Sequence, residues 1–140
     1  MRNDKNGFTL IELLAVIIIL AIIALITTPI ILNVLESTRK DAAKDKAWGA
    51  IEAVKLAYTQ NQVSANPVNI PDSGLKITFA EDGTANVGGT AVTVSGEKPS
   101  GGSVTIKTNG TITCDGLQFT SGGSYSCTTE DGNTMTCEAN

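Results

Sequence analysis

The sequence predicts an α+β fold, in which one long N-terminal helix packs against a small antiparallel β-sheet. An apolar run from Phe8 to Leu32 continues into a segment with helical periodicity that ends near residue 61. Beyond residue 62, short β-rich runs alternate with turns. Aromatic residues make up 4% of the chain and glycine occurs 14 times, so the sheet needs the helix to complete its core.

The apolar run is long enough to cross a membrane. Residues 8–32 would rise about 37 Å as a helix, against a hydrocarbon core of about 30 Å. Pro29 lacks an N–H group and is expected to kink the helix. We expect Thr27 and Thr28 to offer their hydroxyls to the carbonyls that Pro29 frees.

Glu12 is the only charged side chain between Lys5 and Glu36. An acidic residue at the centre of a membrane helix costs roughly 2.5–3.5 kcal/mol, and less towards an end. A carboxylate at this place is therefore a functional candidate that requires a partner.

The residues before the apolar run are weakly basic, with Arg2 and Lys5 against Asp4, which predicts a cytoplasmic N-terminus. A secretory signal peptide fits poorly, because the apolar run exceeds the usual length and no A-x-A-like site follows it. A plain single-pass anchor is the other alternative. Neither alternative explains Glu12.

The helix is expected to continue from residue 33 to about residue 61. Ala47, Ile51, Val54 and Tyr58 recur at helical spacing, which predicts a face that completes the core of the sheet. Trp48 lies off this face, so it either covers the rim of the head or meets another subunit.

Eight short runs are candidate strands. The strongest hairpin signal is Asn109-Gly110, which predicts a type I′ turn. The candidate strands are 75–80, 84–87, 91–95, 103–108, 111–114, 117–120, 124–128 and 134–137.

Composition argues against most catalytic classes. The chain has no histidine and only three cysteines, which removes most routes to a zinc site or to histidine-based catalysis. After Leu56, three lysines stand against eight acidic residues, which gives no electrostatic footprint for nucleic acid. The acidic turns at 81–83 and 130–132 are better explained by turn chemistry than by calcium binding. We therefore expect no catalytic residue, no metal site and no cofactor.

Gly7-Phe8-Thr9-Leu10-Ile11-Glu12, with its basic leader, apolar helix and Pro29, resembles the N-terminus of type IV pilins and the related pseudopilins. Close similarity covers about residues 1–60. The resemblance implies that a prepilin peptidase cleaves between Gly7 and Phe8, where a side chain at Gly7 would crowd the peptidase site. Phe8 would then be N-methylated.

Glu12 would pair with the new α-amino group of Phe8 and so act in assembly. The family pattern suggests the amine of a neighbouring subunit, and pairing within one chain stays open. The resemblance also implies that the helix loosens near Pro29 on extraction from lipid, with a passive kink as the alternative.

The implied organisation is a cytoplasmic leader (1–7), a transmembrane and filament-core helix (8–32), its amphipathic continuation (33–61) and a β-rich head (62–140). The implied function is that of a structural subunit of a surface filament, used in adhesion, motility or DNA uptake. The implied partners are other copies of the chain, the prepilin peptidase/N-methyltransferase, and the membrane platform and assembly ATPase of the pilus machine. The alternatives are a pseudopilin of a type II secretion or competence machine and, in another class, a monomeric membrane-tethered binding domain.

Cys127 and Cys137 flank a tight turn at residues 130–133, so they can lie opposite each other on a hairpin. Many pilins close a C-terminal loop with a disulfide, which favours this pair. Cys114 with Cys127 stays open as the competing pair, and three cysteines leave at least one unpaired within the chain.

Overall fold

The computed structural model describes residues 6–140, so the charges expected in the leader at Arg2, Asp4 and Lys5 lie outside the described residues. The chain forms two compact units, one that ends at Ser37 and one that spans Thr38–Asn140. The elements are α1 (Leu10–Gln62), β1 (Leu75–Thr78), β2 (Asn86–Val87), β3 (Thr90–Ala91), β4 (Ser103–Ile106), β5 (Ile112–Phe119), β6 (Tyr125–Thr129) and β7 (Thr136–Ala139).

In the first unit, α1 is apolar on every side. From Leu13 to Ile26, each large apolar side chain is at least 50% exposed. An 18-residue window of α1 reaches a mean hydropathy of 3.1. By length and composition, this helix is able to cross a membrane.

The hydroxyls near Pro29 do not bond where the sequence suggested. Thr27 Oγ1 donates to the carbonyl of Ile23 at 2.9 Å, and Thr28 Oγ1 donates to the carbonyl of Ala24 at 2.7 Å. Pro29 instead frees the carbonyl four residues earlier, that of Leu25. The expectation was wrong because a threonine hydroxyl on a helix reaches back one turn from its own position.

The second unit confirms the predicted α+β fold. Five antiparallel strands lie in the order β1-β4-β5-β6-β7, and β2 and β3 form a separate hairpin. The C-terminal part of α1 buries a face that includes Ala47, Ile51 and Val54, each at most 4% exposed, while Tyr58 is partly buried against the same core.

Small side chains make up much of the helix face that belongs to the core. Four further alanines of α1 are buried, at positions 43, 50, 53 and 57. They belong to the same core as large sheet residues, among which Leu117 and Phe119 are at most 1% exposed. Alanine loses no rotamer freedom on burial, so this contact costs little conformational entropy.

Two runs that were predicted as separate strands form one continuous strand. The runs 111–114 and 117–120 lie in the single strand β5, whose pairing with β6 shifts register between Cys114 and Leu117. A β-bulge at Asp115 and Gly116 therefore joins the two predicted runs. Gly116 has a φ of 59°, a conformation that glycine adopts readily.

The hairpin at Asn109-Gly110 forms between β4 and β5, but the prediction of a type I′ turn was wrong. A type I′ turn needs positive φ at both residues, and only Gly110 has it, at 84°. Asn109 Oδ1 accepts the backbone N–H of Thr111 at 2.9 Å, and Gly110 N donates to the carbonyl of Lys107 at 3.0 Å. This pattern fits a three-residue loop that ends in a left-handed glycine.

The outward face of the sheet is hydroxyl-rich. Thr105 lies opposite Thr113, and Thr128 lies opposite Thr136. These side chains are half-buried or exposed, and none belongs to the core. The apolar core residues of β4, β5 and β6 lie on the other face of the sheet.

Candidate functional site

The N-terminal motif forms a capping box, which we define as the reciprocal pair Thr9 and Glu12. The backbone N–H of Thr9 donates to Glu12 Oε2 at 3.0 Å, and the backbone N–H of Glu12 donates to Thr9 Oγ1 at 3.3 Å. The carbonyl of Thr9 accepts the N–H of Leu13, which closes the first turn of α1. A Thr-x-x-Glu sequence satisfies two of the free N–H groups at a helix start in this way.

Because of the capping box, helical structure begins at Leu10, and Gly7 and Phe8 stay outside the helix. The Phe8 side chain is 92% exposed. Among the described residues that are not its direct neighbours in the chain, none lies within 4 Å of a Cβ atom built on Gly7. The two residues that flank the expected cleavage point are therefore accessible and non-helical.

Cys127 and Cys137 lie directly opposite each other on β6 and β7. Their Sγ atoms are 2.00 Å apart in a disulfide, while Cys114 is free and buried. The disulfide closes a loop that includes residues 130–135. This is the pair that the resemblance favoured, and peptide mapping remains its test.

Asp131 organises the turn inside this loop. Its Oδ1 accepts the backbone N–H groups of Thr134 at 2.8 Å and Asn133 at 2.9 Å, and the hydroxyl of Thr129 at 3.2 Å. These hydrogen bonds lower the pKa of Asp131 to about 2. At the other acidic turn, Asp82 Oδ1 accepts the hydroxyl and the N–H of Thr84, which lower its pKa. Both carboxylates act as turn formers.

One charged contact joins α1 to the loops of the head. Lys46 Nζ donates to Glu97 Oε2 at 2.5 Å and to the carbonyl of Ser121 at 2.9 Å. Glu97 Oε1 accepts the backbone N–H groups of Thr120 and Ser121. Burial acts to raise the pKa of Glu97, but the hydrogen bonds from Lys46 and from the two N–H groups outweigh it, and the pKa is lowered.

Burial raises the pKa of the Cys114 thiol to about 11, which keeps it protonated and unreactive in the folded state. Trp48 packs against the core from the rim and lines an open cavity of about 400 Å³, whose wall also includes Asn109, Asp131 and Glu52. Within residues 6–140, no cluster of three or more His, Cys, Asp or Glu side chains is placed to hold a metal ion.

Residues 2–28 match the family model of the prokaryotic N-terminal methylation motif. The chain carries a prepilin-type N-terminus. It is also similar to prepilin peptidase-dependent protein A of Clostridium perfringens (strain 13 / Type A), with 33% identity over 69 residues. The match covers 49% of this chain, and the chain spans about half the length of that relative. No solved structure matches the chain.

The structure groups the predicted residues into separate places. Gly7, Phe8 and Glu12 lie together at the prepilin-type N-terminus, while Pro29 lies within α1 and the cysteine pair lies in the second unit. Sequence reasoning did not identify Thr9, although the Thr-x-x-Glu spacing of a capping box was visible in the motif.

Proposed function

We propose that this protein is a structural subunit of a type IV pilus. In this proposal the precursor is cleaved between Gly7 and Phe8, Phe8 is N-methylated, and the subunits polymerise through α1 into a surface filament. The observation that carries the proposal is an apolar helix exposed on all sides, with one carboxylate in its first turn.

An exposed apolar surface of this size is unfavourable in water and has to be buried against lipid or protein. Burying an aliphatic side chain fully is worth about 1.5–3 kcal/mol, and the stretch Leu13–Ile26 carries eleven large apolar side chains that are at least half exposed. Lipid provides the cover for a membrane-anchored precursor. In the proposal, sister helices provide it in the filament.

Glu12 gives the proposed assembly its specificity. Cleavage after Gly7 would create a cationic amine on Phe8, and a buried carboxylate beside an amine replaces two isolated desolvation costs by one pair. Removing one partner of such a buried pair costs about 3–5 kcal/mol. An unpaired Glu12 in a filament core would therefore oppose assembly.

The proposed location changes with assembly. The precursor would cross the cytoplasmic membrane once, with its N-terminus in the cytoplasm and the head outside. The second unit is folded around its own core and carries a disulfide, which suits an oxidising compartment. The proposed partners are other copies of the chain, the prepilin peptidase/N-methyltransferase, and the membrane platform and assembly ATPase of the pilus machine.

A pseudopilin of a type II secretion or competence machine is the second candidate. The match to the methylation motif covers residues 2–28 alone, and this segment would serve a pseudopilin equally well. Purified surface material distinguishes the two. Long filaments made chiefly of this chain support the pilin. Absence of filaments, with loss of secretion or DNA uptake on deletion, supports the pseudopilin.

Glu12→Ala tests the assembly mechanism. The variant should insert into the membrane as well as the wild type and yield few or no filaments. Glu52→Ala is the matched control, because Glu52 is exposed on α1 and its nearest lysine nitrogen is 4.0 Å away. Normal filaments from Glu12→Ala would refute the pairing.

Gly7→Val tests the processing site. A Cβ atom at Gly7 meets no atom within 4 Å among residues 9–140, so a loss of cleavage in this variant points to the peptidase. Uncleaved precursor should accumulate in the membrane. Gly49→Ala, at an exposed glycine of α1 that is equally free of neighbours, should be cleaved normally. Normal cleavage of Gly7→Val would place the processing site elsewhere.

A further inference from the structure

We propose that the head binds the phosphate of a membrane phospholipid in a small cavity of the second unit, which we call the basic cavity. It has a volume of about 220 Å³. The proposal rests on the proposed function for one step, the location of the precursor in the membrane. The residues that define the basic cavity are Arg39, Lys46, Phe119, Ser121, Gly122 and Tyr125, all of them within the second unit.

The guanidinium of Arg39 is the first group that could bind a phosphate. Arg39 is exposed, and the structure of residues 6–140 shows no hydrogen bond or ion pair of its side chain. An arginine presents five N–H donors in a planar fork that matches the oxygens of a phosphate. The full hydrogen-bonding capacity of this side chain is therefore available to a ligand.

Lys46 brings a second cation to the basic cavity. Its Nζ donates to Glu97 Oε2 and to the carbonyl of Ser121, which leaves one of three N–H donors for a ligand. Glu97 offsets one of the two positive charges. The cavity keeps an excess of positive charge, as binding of an anion requires.

The hydroxyl of Tyr125 distinguishes this cavity from an ordinary surface groove. Tyr125 is 6% exposed, yet no hydrogen bond of its hydroxyl is found within residues 6–140. Among the described residues, no buried side-chain oxygen or nitrogen lacks a partner, so the accessible part of Tyr125 has to include its hydroxyl. Because Tyr125 lines the basic cavity, this O–H group can donate there to a phosphate oxygen.

The position of Arg39 along the chain favours a lipid as the source of the phosphate. Arg39 follows Leu32, the last residue of the expected membrane span, by seven residues, which is about 10 Å of helix. The headgroup region on each side of the hydrocarbon core is about 5–8 Å deep. Long side chains on a helix lean towards its N-terminus, which here is the direction of the span. The guanidinium would therefore reach the headgroups on the outer face of the membrane.

A phospholipid in the basic cavity would hold the head against the membrane before assembly. Its phosphodiester carries one negative charge, which suits two cations that share one carboxylate. Extraction of the subunit into a filament would have to break these contacts.

Lipid binding is tested by native mass spectrometry of the full-length chain in mild detergent. One arm titrates phosphatidylglycerol, and the other titrates diacylglycerol with the same acyl chains and no phosphate. Hydrogen bonds to a charged group are strong, so the wild type should bind phosphatidylglycerol about tenfold more tightly than diacylglycerol.

A pair of charge variants locates the binding. Arg39→Gln should weaken binding of phosphatidylglycerol about fivefold, the typical effect of one cation near an anionic lipid. Lys44→Gln is the matched control, because it removes the same charge from the same helix. Lys44 pairs with Asp41 at 3.3 Å and does not line the basic cavity, so its loss should change the affinity by less than about twofold.

Tyr125→Phe isolates the hydroxyl. Since this group has no partner within the described part of the chain, its removal should leave the urea midpoint of the head unchanged while weakening phosphatidylglycerol binding about tenfold. A lower urea midpoint would show that the hydroxyl serves the fold, and would overturn its role in binding.

Three results would overturn the proposal as a whole. They are equal binding of the two lipids by the wild type, an Arg39→Gln variant that binds as well as Lys44→Gln, and displacement of the lipid by millimolar inorganic phosphate, which would make free phosphate the occupant. The measurement needs no filament, so it stays decisive if the pilus function fails. A chain that does not insert into phosphatidylglycerol vesicles would refute the membrane location, and the lipid as occupant with it.

Discussion

Asn61 offers the sharpest test of how the head is held to its helix. The side chain is 1% exposed and lies near the end of α1. Its Nδ2 donates to the carbonyl of Gly88 at 3.2 Å and to the hydroxyl of Thr90 at 3.3 Å, and its Oδ1 accepts the N–H of Val68 at 2.8 Å. One amide therefore joins the helix, the connector after it and the β2–β3 hairpin.

Asn61→Ala leaves the Val68 N–H and the Gly88 carbonyl without their side-chain partner. Each buried polar group without a partner costs about 1–3 kcal/mol, so we expect the free energy of unfolding to fall by roughly 3 kcal/mol. That loss is a large share of the roughly 5–15 kcal/mol typical of a domain. The Thr90 hydroxyl can rotate to another acceptor and is left out of the sum.

Urea unfolding of the full chain in mild detergent measures this loss. Trp48 is the only tryptophan and packs against the core of the second unit, so its fluorescence reports on the head. Gln60→Ala, at an exposed position of the same helix, is the control and should change stability by less than about 0.5 kcal/mol. Equal stabilities of the two variants would refute the role of Asn61.

Asn61→Asp adds a pH test. The new carboxyl keeps the acceptor for Val68 but turns its second oxygen towards the Gly88 carbonyl, so burial and repulsion raise its folded-state pKa. A raised pKa means that stability is gained as the pH falls. The variant should be strongly destabilised at pH 7 and partly recovered at pH 4, and equal destabilisation at both would contradict the geometry.

Three further predictions concern the head. Replacing Cys127 and Cys137 by serine should lower the free energy of unfolding by about 2.7 kcal/mol, given a sequence separation of 10, and a non-reducing peptide map that places Cys114 in the only bridge would contradict the pairing. Cys114 should resist iodoacetamide at pH 8 in the folded state and react on unfolding, since burial raises its pKa to about 11; rapid native alkylation would contradict this. The pKa of Glu97 is lowered below its usual value of 4.5. The wild type should therefore be more stable than Glu97→Gln above pH 4.5, and this difference should shrink as the pH falls below 4.5. A difference that grows in acid would contradict the contact with Lys46.

Periodicity in the sequence was enough to predict the helix and its packing face. Ala47, Ile51 and Val54 are spaced as a helical stripe, and the structure buries all three. The four further buried alanines were missed, because alanine is found on buried and exposed helix faces alike. Only the approach of the sheet decides between the two.

Turn chemistry was harder to predict because competing conformations differ by small energies. Asn109-Gly110 suits a type I′ turn, yet the bond from the Thr111 N–H to the Asn109 side chain holds the asparagine at negative φ. At the N-terminus, the charge of Glu12 predicted an assembly role, and the structure adds a hydrogen bond from the Thr9 N–H to its carboxylate. The Thr-x-x-Glu spacing was sufficient to predict this capping role, and the structure shows both of its hydrogen bonds.

The outward face of the sheet contributes little to the hydrophobic core. Two threonine pairs lie on this face, Thr105 opposite Thr113 and Thr128 opposite Thr136, and neither pair belongs to the core. Surface substitutions away from special contacts change stability by about 0.5 kcal/mol or less. Thr105, Thr113 and Thr136 can therefore be replaced without disturbing either the core or the N-terminal motif, whereas Thr128 Oγ1 accepts the backbone N–H of Gly116 at the β-bulge and should be kept. This face is the natural place to engineer a display surface on this protein.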